Sequence, residues 1–208
     1  MGKIVIFGAT GGTGRQLVQQ ALNAGHAVTV LVRQEGILPG VRQVVGDVRN
    51  HERVGESIHG QDVVLCALGP SQKNAPVCAD AARSILAGMQ AGRVTRLVAL
   101  SAYGVAETRR GLYSAVTWAL LRDKMQDKEQ MEALIRASGV DWTLIRPPAL
   151  RDGVLTGAYR TGTDLPVSLV SAVTRADVAH FMLREAVARA YLHAAPTIVA
   201  TRAAAGTR

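Results

Sequence analysis

Residues 4–33 read IVIFGATGGTGRQLVQQALNAGHAVTVLVR, and their order decides the fold. Four apolar residues, Ile4–Phe7, run directly into GATGGTG, which holds four glycines in seven residues. Glycine costs backbone entropy, so such crowding marks a sharp turn or a place where something must approach the backbone. Gly8, Gly11 and Gly14 have the spacing G-x-x-G-x-x-G, after a strand pattern and ahead of a helical one over about Thr13–Ala24. In that context the loop is expected to hold a dinucleotide. Free amides of the turn and the helix N-terminus attract a pyrophosphate, and Gly14 lets helix pack closely on strand. Gly8, Gly11 and Gly12 are assigned to the phosphates, with hydroxyl donors from Thr10 and Thr13. An ordinary strand–helix turn needs one glycine, and the Gly-Lys-Ser/Thr ending of a triphosphate loop is missing.

The next apolar run, VTVLV, ends on Arg33. An NAD site places an acidic residue about twenty residues beyond the glycines, on the ribose 2′-hydroxyl. A guanidinium there instead pairs with the 2′-phosphate of NADP and stacks on adenine. The expected cofactor is therefore NADP(H), with Glu35 the competing ribose ligand.

Beyond this segment, apolar runs and helical spacing keep alternating. Strands are expected at Ile4–Phe7, Val28–Val32, Gln43–Val45, Val63–Leu68, Leu97–Leu100 and Trp142–Ile145. Helices are expected at about Thr13–Ala24, Asn50–His59, Pro76–Ala91 and Leu112–Ala137, with Gly25 and Gly139 as terminating glycines. That alternation specifies α/β architecture, a Rossmann-type doubly wound parallel sheet in a single domain over residues 1–208. After Pro147-Pro148 the pattern fades into a loop-rich, substrate-side region of about residues 147–174. Thr174-Arg175-Ala176-Asp177 has capping-box form and opens a last helix to about Ala190; Thr197–Ala200 reads as a short final strand.

Composition narrows the function classes. At 48% apolar and 19% charged, the chain can bury a sizeable core and is not of the disordered class. No apolar run reaches bilayer-spanning length, and the start, with one lysine before the first strand, does not read as a secretory leader. The net charge of +8 comes from scattered arginines without a basic block or interleaved aromatics, which argues for a merely basic surface or an anionic ligand rather than nucleic acid. Cys66, inside VVLCAL, reads as inert core, and a cytoplasmic location is expected. The five histidines show no ligand spacing, so no metal site is expected.

Together, GATGGTG, VTVLVR, VVGDV, GQDVVLCALG and RPPALRDGVLTGAY resemble the atypical short-chain dehydrogenase/reductases that bind NAD(P)H. The resemblance is closest to the biliverdin reductase B / NADPH-dependent flavin reductase group. It implies NADPH as hydride donor and flavins or linear tetrapyrroles as acceptors. By the same resemblance Asp47 and Val48 contact adenine, and Leu68 and Gly69 line the path of ribose and nicotinamide. Pro148 and Ala149 border the cofactor's reactive end.

The catalytic candidates are Ser101 and Lys128. Ser101 follows RLVAL at the carboxyl end of a strand, where open α/β sheets bind ligands. In the resembling family a serine there approaches nicotinamide and substrate; its other reading is a strand-end cap. The family register puts its lysine at Lys128, for which the alternative is a solvated helix lysine. Lys124, one helical turn away, stands where the wider family has its tyrosine. Ala149 stands where the resembling group has histidine. Both departures remove a proton donor, with Tyr103 and Tyr159 as possible replacements. The resulting expectation is a flavin reductase-type enzyme acting on a small flat acceptor, as a monomer or weak homodimer. The rival readings are a non-catalytic NADP-binding redox-sensing regulator and a dedicated carbonyl or enone reductase.

Overall fold

The computed structural model describes residues 2–36, 38–69 and 76–201. Its main sheet contains β1 (Lys3–Phe7), β2 (Ala27–Val32), β3 (Arg42–Val45), β4 (Val63–Cys66), β5 (Arg96–Leu100) and β6 (Asp141–Ile145). All pairings are parallel, in the order β3-β2-β1-β4-β5-β6. The helices are α1 (Gly12–Asn23), α2 (His51–Ile58), α3 (Val77–Gly92), α4 (Gly111–Arg136) and α5 (Arg175–Ala188).

Strand periodicity divides the core in two. Ile4 and Ile6 of β1, with Val98 and Leu100 of β5, pack beneath α1 and α5 against Leu17, Ala21, Val178 and Met182. Val5, Phe7, Leu97 and Ala99 face the other way, onto Val54 of α2, Ile85 and Met89 of α3, and Met131 and Ile135 of α4. A sheet buried on both faces needs near-continuous apolar strands, which is why these runs carry no polar alternation. Each such side chain contributes about 1.5–3 kcal/mol on burial.

The helix ends show what local signals convey. Gly25 does adopt the left-handed conformation, φ +75°, behind α1. Gly139 is not among the positive-φ residues; α4 closes through Ala137 in ordinary helical geometry. Two other helices stop on left-handed arginines, Arg93 (φ 54°) after α3 and Arg189 (φ 52°) after α5. Thr174 caps α5, accepting from the Asp177 amide at 3.0 Å. The Asp177 carboxylate turns away from a reciprocal bond and accepts instead from the amides of Thr156 and Gly157 and the hydroxyls of Thr156 and Thr174. α4 has the expected extent but kinks at Leu121, whose φ/ψ of −132°/32° is non-helical.

The region after Arg146 departs most from expectation. It contains β7 (Ala149–Arg151), β8 (Tyr159–Gly162) and β9 (Ala172–Thr174), where the faded pattern implies loop. β7 pairs with β9, and β8 pairs antiparallel with β10 (Thr197–Ala200), so the final strand builds a second small sheet. Among the described residues, no helix is long and apolar enough to cross a membrane.

Candidate functional site

β1 and β4 are neighbours in the sheet, but their connections leave in opposite directions along it. A crevice opens at such a switch point, beyond the carboxyl ends of the strands. Gly8 leaves β1 with φ +80°, and its carbonyl accepts from the Gly11 amide at 3.0 Å. A Cβ at Gly14 would stand 2.0 Å from the Gly8 oxygen, so this glycine is required for helix–strand contact. A Cβ at Gly8 would meet the Ala67 and Leu68 backbone at 2.8 Å. Gly11, extended at φ −74° and ψ 166°, precedes α1 with no side-chain cap and no acidic residue in the first turn. The contrast is with α2, capped by Asn50, and α3, whose Cys78 and Ala79 amides bond to Asp127. Among the described residues the first amides of α1 are thus left without a side-chain cap, and the loop fits a phosphate. Arg175 lies against this loop: a Cβ at Gly12 would come within 2.5 Å of its Cδ, and its guanidinium also bonds Asp152 at 2.8 Å.

One cleft adjoins the loop, and a second adjoins the first. The first, about 260 Å³, is lined by Gly8, Thr10, Arg33, Asp47, Val48, Leu68 and Gly69, with Arg49 beside them. The second, about 190 Å³, is lined by Leu68, Gly69, Ser101, Lys128 and Pro148. Its remaining wall includes Leu100, Leu121, Met125, Pro147 and Leu150, with Lys124 at an exposed position. Leu68 and Gly69 are common to both. β4 ends at Cys66, two residues earlier than the apolar run suggests, and that early exit carries Leu68 and Gly69 between the clefts.

Ten of the expected site residues therefore gather along one path from Arg33 to Ser101. Gly11, Gly12, Thr13 and Ala149 line neither cleft. Gly11 and Gly12 lie exposed at the loop, whereas Thr13 is buried. Ala149 opens β7 opposite Ala172. Asp47 also has its turn role, accepting from the Arg49 amide at 2.9 Å. Arg33 makes no ion pair among the described residues, while Arg49 is held by Asp80 at 2.9 Å. Arg49 was not singled out in the sequence, although it directly follows Asp47-Val48.

Lys128 is no solvated lysine. It is 4% exposed, and its ammonium donates to the carbonyls of Leu68 (2.8 Å) and Leu100 (2.5 Å). Among the described residues the third ammonium proton has no partner, which suits a ligand. Ser101 donates to Glu132, which is held by Arg146. Burial alone would lower the Arg146 pKa, but the hydrogen bonds and negative charge of Glu132 and Glu107 outweigh it and raise it. Neither replacement proton donor lines the second cleft: Tyr103 packs edge-on against Tyr113, and Tyr159 bonds His180 at 2.7 Å. Burial pushes the Cys66 thiol up, and that of Cys78 to about 12, so both are inert at neutral pH. Of the region after Arg146, only Pro147, Pro148 and Leu150 reach this cleft. Arg151, the next residue on β7, lines a separate trough of about 730 Å³ with Arg160 and Ser168.

Sheet order, glycine loop and paired clefts define a Rossmann dinucleotide-binding protein. The chain belongs to the NAD(P)H-binding family, whose model matches residues 8–188. It is 26% identical over 170 residues to the uncharacterised protein YwnB of Bacillus subtilis (strain 168), covering 78% of this chain and 80% of YwnB. It is 27% identical over 167 residues to an isoflavone reductase of Glycine max, which covers 69% of this chain. The chain spans about half of that plant enzyme, 49%. Among solved structures, ChuY, an anaerobillin reductase from Escherichia coli O157:H7, superposes with a TM-score of 0.83. The match covers 97% of this chain and 98% of ChuY at 19% identity, a likeness of fold.

Proposed function

We propose that this chain is an NADPH-dependent reductase of the flavin reductase type, passing a hydride to a small, flat, conjugated acceptor in the second cleft. The observation that carries this reading is the makeup of that cleft. Leu100, Leu121, Met125, Pro147, Pro148 and Leu150 form apolar walls, and the polar side chains are Ser101, Lys124 and Lys128. Apolar walls suit a planar ring system, whose burial is driven by area rather than by directional bonds. A bound nicotinamide supplies the hydride, and the chain's own residues hold and orient the two rings.

Arg33 is the group that selects NADPH over NADH, since its guanidinium lines the first cleft without a carboxylate partner among the described residues. Lys128 fixes the wall between the clefts and offers its remaining proton to the cofactor ribose. Neither phenol nor imidazole lines the second cleft among the described residues. Acceptors that take their proton from solvent, as flavins can, are therefore favoured over those that need a positioned acid. The protein works in the cytoplasm as a monomer or weak homodimer.

The lack of a positioned acid also favours the second reading, a non-catalytic redox-sensing regulator that binds NADP. NADPH oxidation followed at 340 nm separates them. Steady turnover with riboflavin or flavin mononucleotide supports the reductase. Tight NADPH binding with no turnover on flavins, quinones or enones supports the regulator, and turnover confined to enones or carbonyls a dedicated reductase.

A further inference from the structure

Ser101 stands at the carboxyl end of β5, and the direction of its hydrogen bond is determined by residues behind it. Its Oγ lies 2.5 Å from Glu132 Oε1. Glu132 is 1% exposed and receives two bonds from Arg146, Nε to Oε1 at 2.9 Å and Nη2 to Oε2 at 2.5 Å. A guanidinium is donor-only, and the carboxylate that pairs with it in this fork is acceptor-only. The hydrogen between Ser101 and Glu132 therefore belongs to the serine. Arg146 reaches Glu107 at 2.8 Å, and Arg136 approaches Glu132 at 3.5 Å, which holds the network from both ends.

A serine hydroxyl has one proton and two lone pairs. With the proton committed to a buried carboxylate, Ser101 turns only lone pairs toward the cleft, and no described group donates to its Oγ. Redirecting that proton to a ligand carbonyl would forfeit a charge-assisted bond in a water-poor setting.

We propose that Ser101 is a fixed hydrogen-bond acceptor that selects an N–H donor at the hydride-transfer end of the site, with Glu132 and Arg146 setting that polarity. This rests on reading the second cleft as the nicotinamide end. The donor is an amide or imide N–H, from one of two sources: the carboxamide of the cofactor or the imide of a flavin-like acceptor. Ligands that present only a carbonyl oxygen to Ser101 are disfavoured. Ser101 is thus a specificity residue toward nitrogen donors and not an oxyanion donor. Glu132 is a positioning residue that acts through it.

The test compares ligands that differ only in the N–H. NADPH is titrated beside its 3-acetylpyridine analogue, in which a methyl ketone replaces the carboxamide. Riboflavin is assayed beside N3-methylriboflavin. One lost neutral hydrogen bond corresponds to roughly threefold to tenfold. The parent protein is expected to discriminate by about that factor in one arm, and the arm identifies the source. Ser101→Ala should bring the ratio near one. Glu132→Gln should reduce it, because a glutamine amide can donate to Ser101 and release its proton. The ratio is independent of any general loss of affinity, and Ser101→Ala still decides the matter if Glu132→Gln does not fold. Equal affinities in both arms of the parent, with NADPH binding intact, overturn the polarity assignment. Failure of the parent to bind NADPH overturns the reading of the site itself.

Discussion

Lys128 Nζ donates to the carbonyl oxygen of Leu68 over 2.8 Å, tying α4 to the chain where it leaves β4 between the two clefts. The same ammonium holds the Leu100 carbonyl at the end of β5. Lys128→Met keeps much of the volume and removes all three donors. Each carbonyl left without a partner costs about 1–3 kcal/mol where it is buried. The melting temperature should fall by about 2–4 °C for each kcal/mol lost. NADPH affinity should weaken with it, because Leu68 walls both clefts. Thermal unfolding and NADPH titration check both effects. An unchanged melting temperature would show that the two bonds contribute nothing net.

On the proposed reading, Arg33 sets the choice of cofactor. Removing one desolvated charged contact is worth about 1.5–3 kcal/mol, or roughly ten- to a hundredfold. NADPH should bind that much more tightly than NADH, and Arg33→Ala should erase most of the difference. Arg49→Ala should matter less, since its guanidinium is engaged by Asp80. Isothermal titration of both cofactors decides the point. Equal affinities in the parent would pass the ribose to Glu35.

The loop glycines should separate folding from binding. A Cβ at Gly11 meets one neighbour, the Gly8 oxygen, at 3.3 Å, whereas one at Gly14 would lie 2.0 Å from that atom. Gly11→Val is therefore expected to fold and lose NADPH binding, because its side chain occupies the approach of the pyrophosphate. Gly14→Ala should instead lower stability. Circular dichroism with cofactor titration distinguishes the two, and retained binding in folded Gly11→Val would misplace the site.

Acid stability should carry the signature of Asp177. Burial alone would raise its pKa, but bonds from the Thr156 hydroxyl, the Gly157 and Thr156 amides and the Thr174 hydroxyl outweigh this and lower it. A depressed carboxylate contributes stability that is fully present above its unfolded value and lost as pH falls through the folded one. The parent should lose stability progressively below the ordinary carboxylate range. Asp177→Asn should be less stable at neutral pH and show a flatter acid limb. Denaturant midpoints measured from pH 7 downward test this; parallel curves for parent and variant would refute it.

The resembling group has histidine where this chain has Ala149, which lines neither cleft itself but stands between Pro148 and Leu150 of the second. General acid catalysis typically contributes about 10²–10⁴-fold. Flavins should be reduced faster than biliverdin-like tetrapyrroles, and Ala149→His should help the tetrapyrrole more than the flavin. Side-by-side turnover of parent and variant measures this. A tetrapyrrole preference in the parent would mean that another group, Lys128 or Lys124, delivers the proton.

What the sequence determined by itself was everything carried by contiguous pattern. Ile4–Phe7 followed by GATGGTG specifies strand, loop and helix, because each is a local preference reinforced by the next. The apolar runs through Ile145 name the strands of the main sheet, since a strand buried on both faces cannot tolerate polar alternation. Arg33 and Ser101 reach the clefts because they follow such strands directly, and Pro148 because it lies three residues past β6. Tertiary structure decided the contacts between residues far apart in the chain. Ser101 meets Glu132 across 31 positions, and Asp127 caps α3 across 48. β8 finds β10 rather than the main sheet, and Lys128 becomes a buried tether rather than a solvated side chain. The physical reason is one and the same: these polar groups are ordered by partners that only folding brings within reach, and no local spacing encodes which partner that will be.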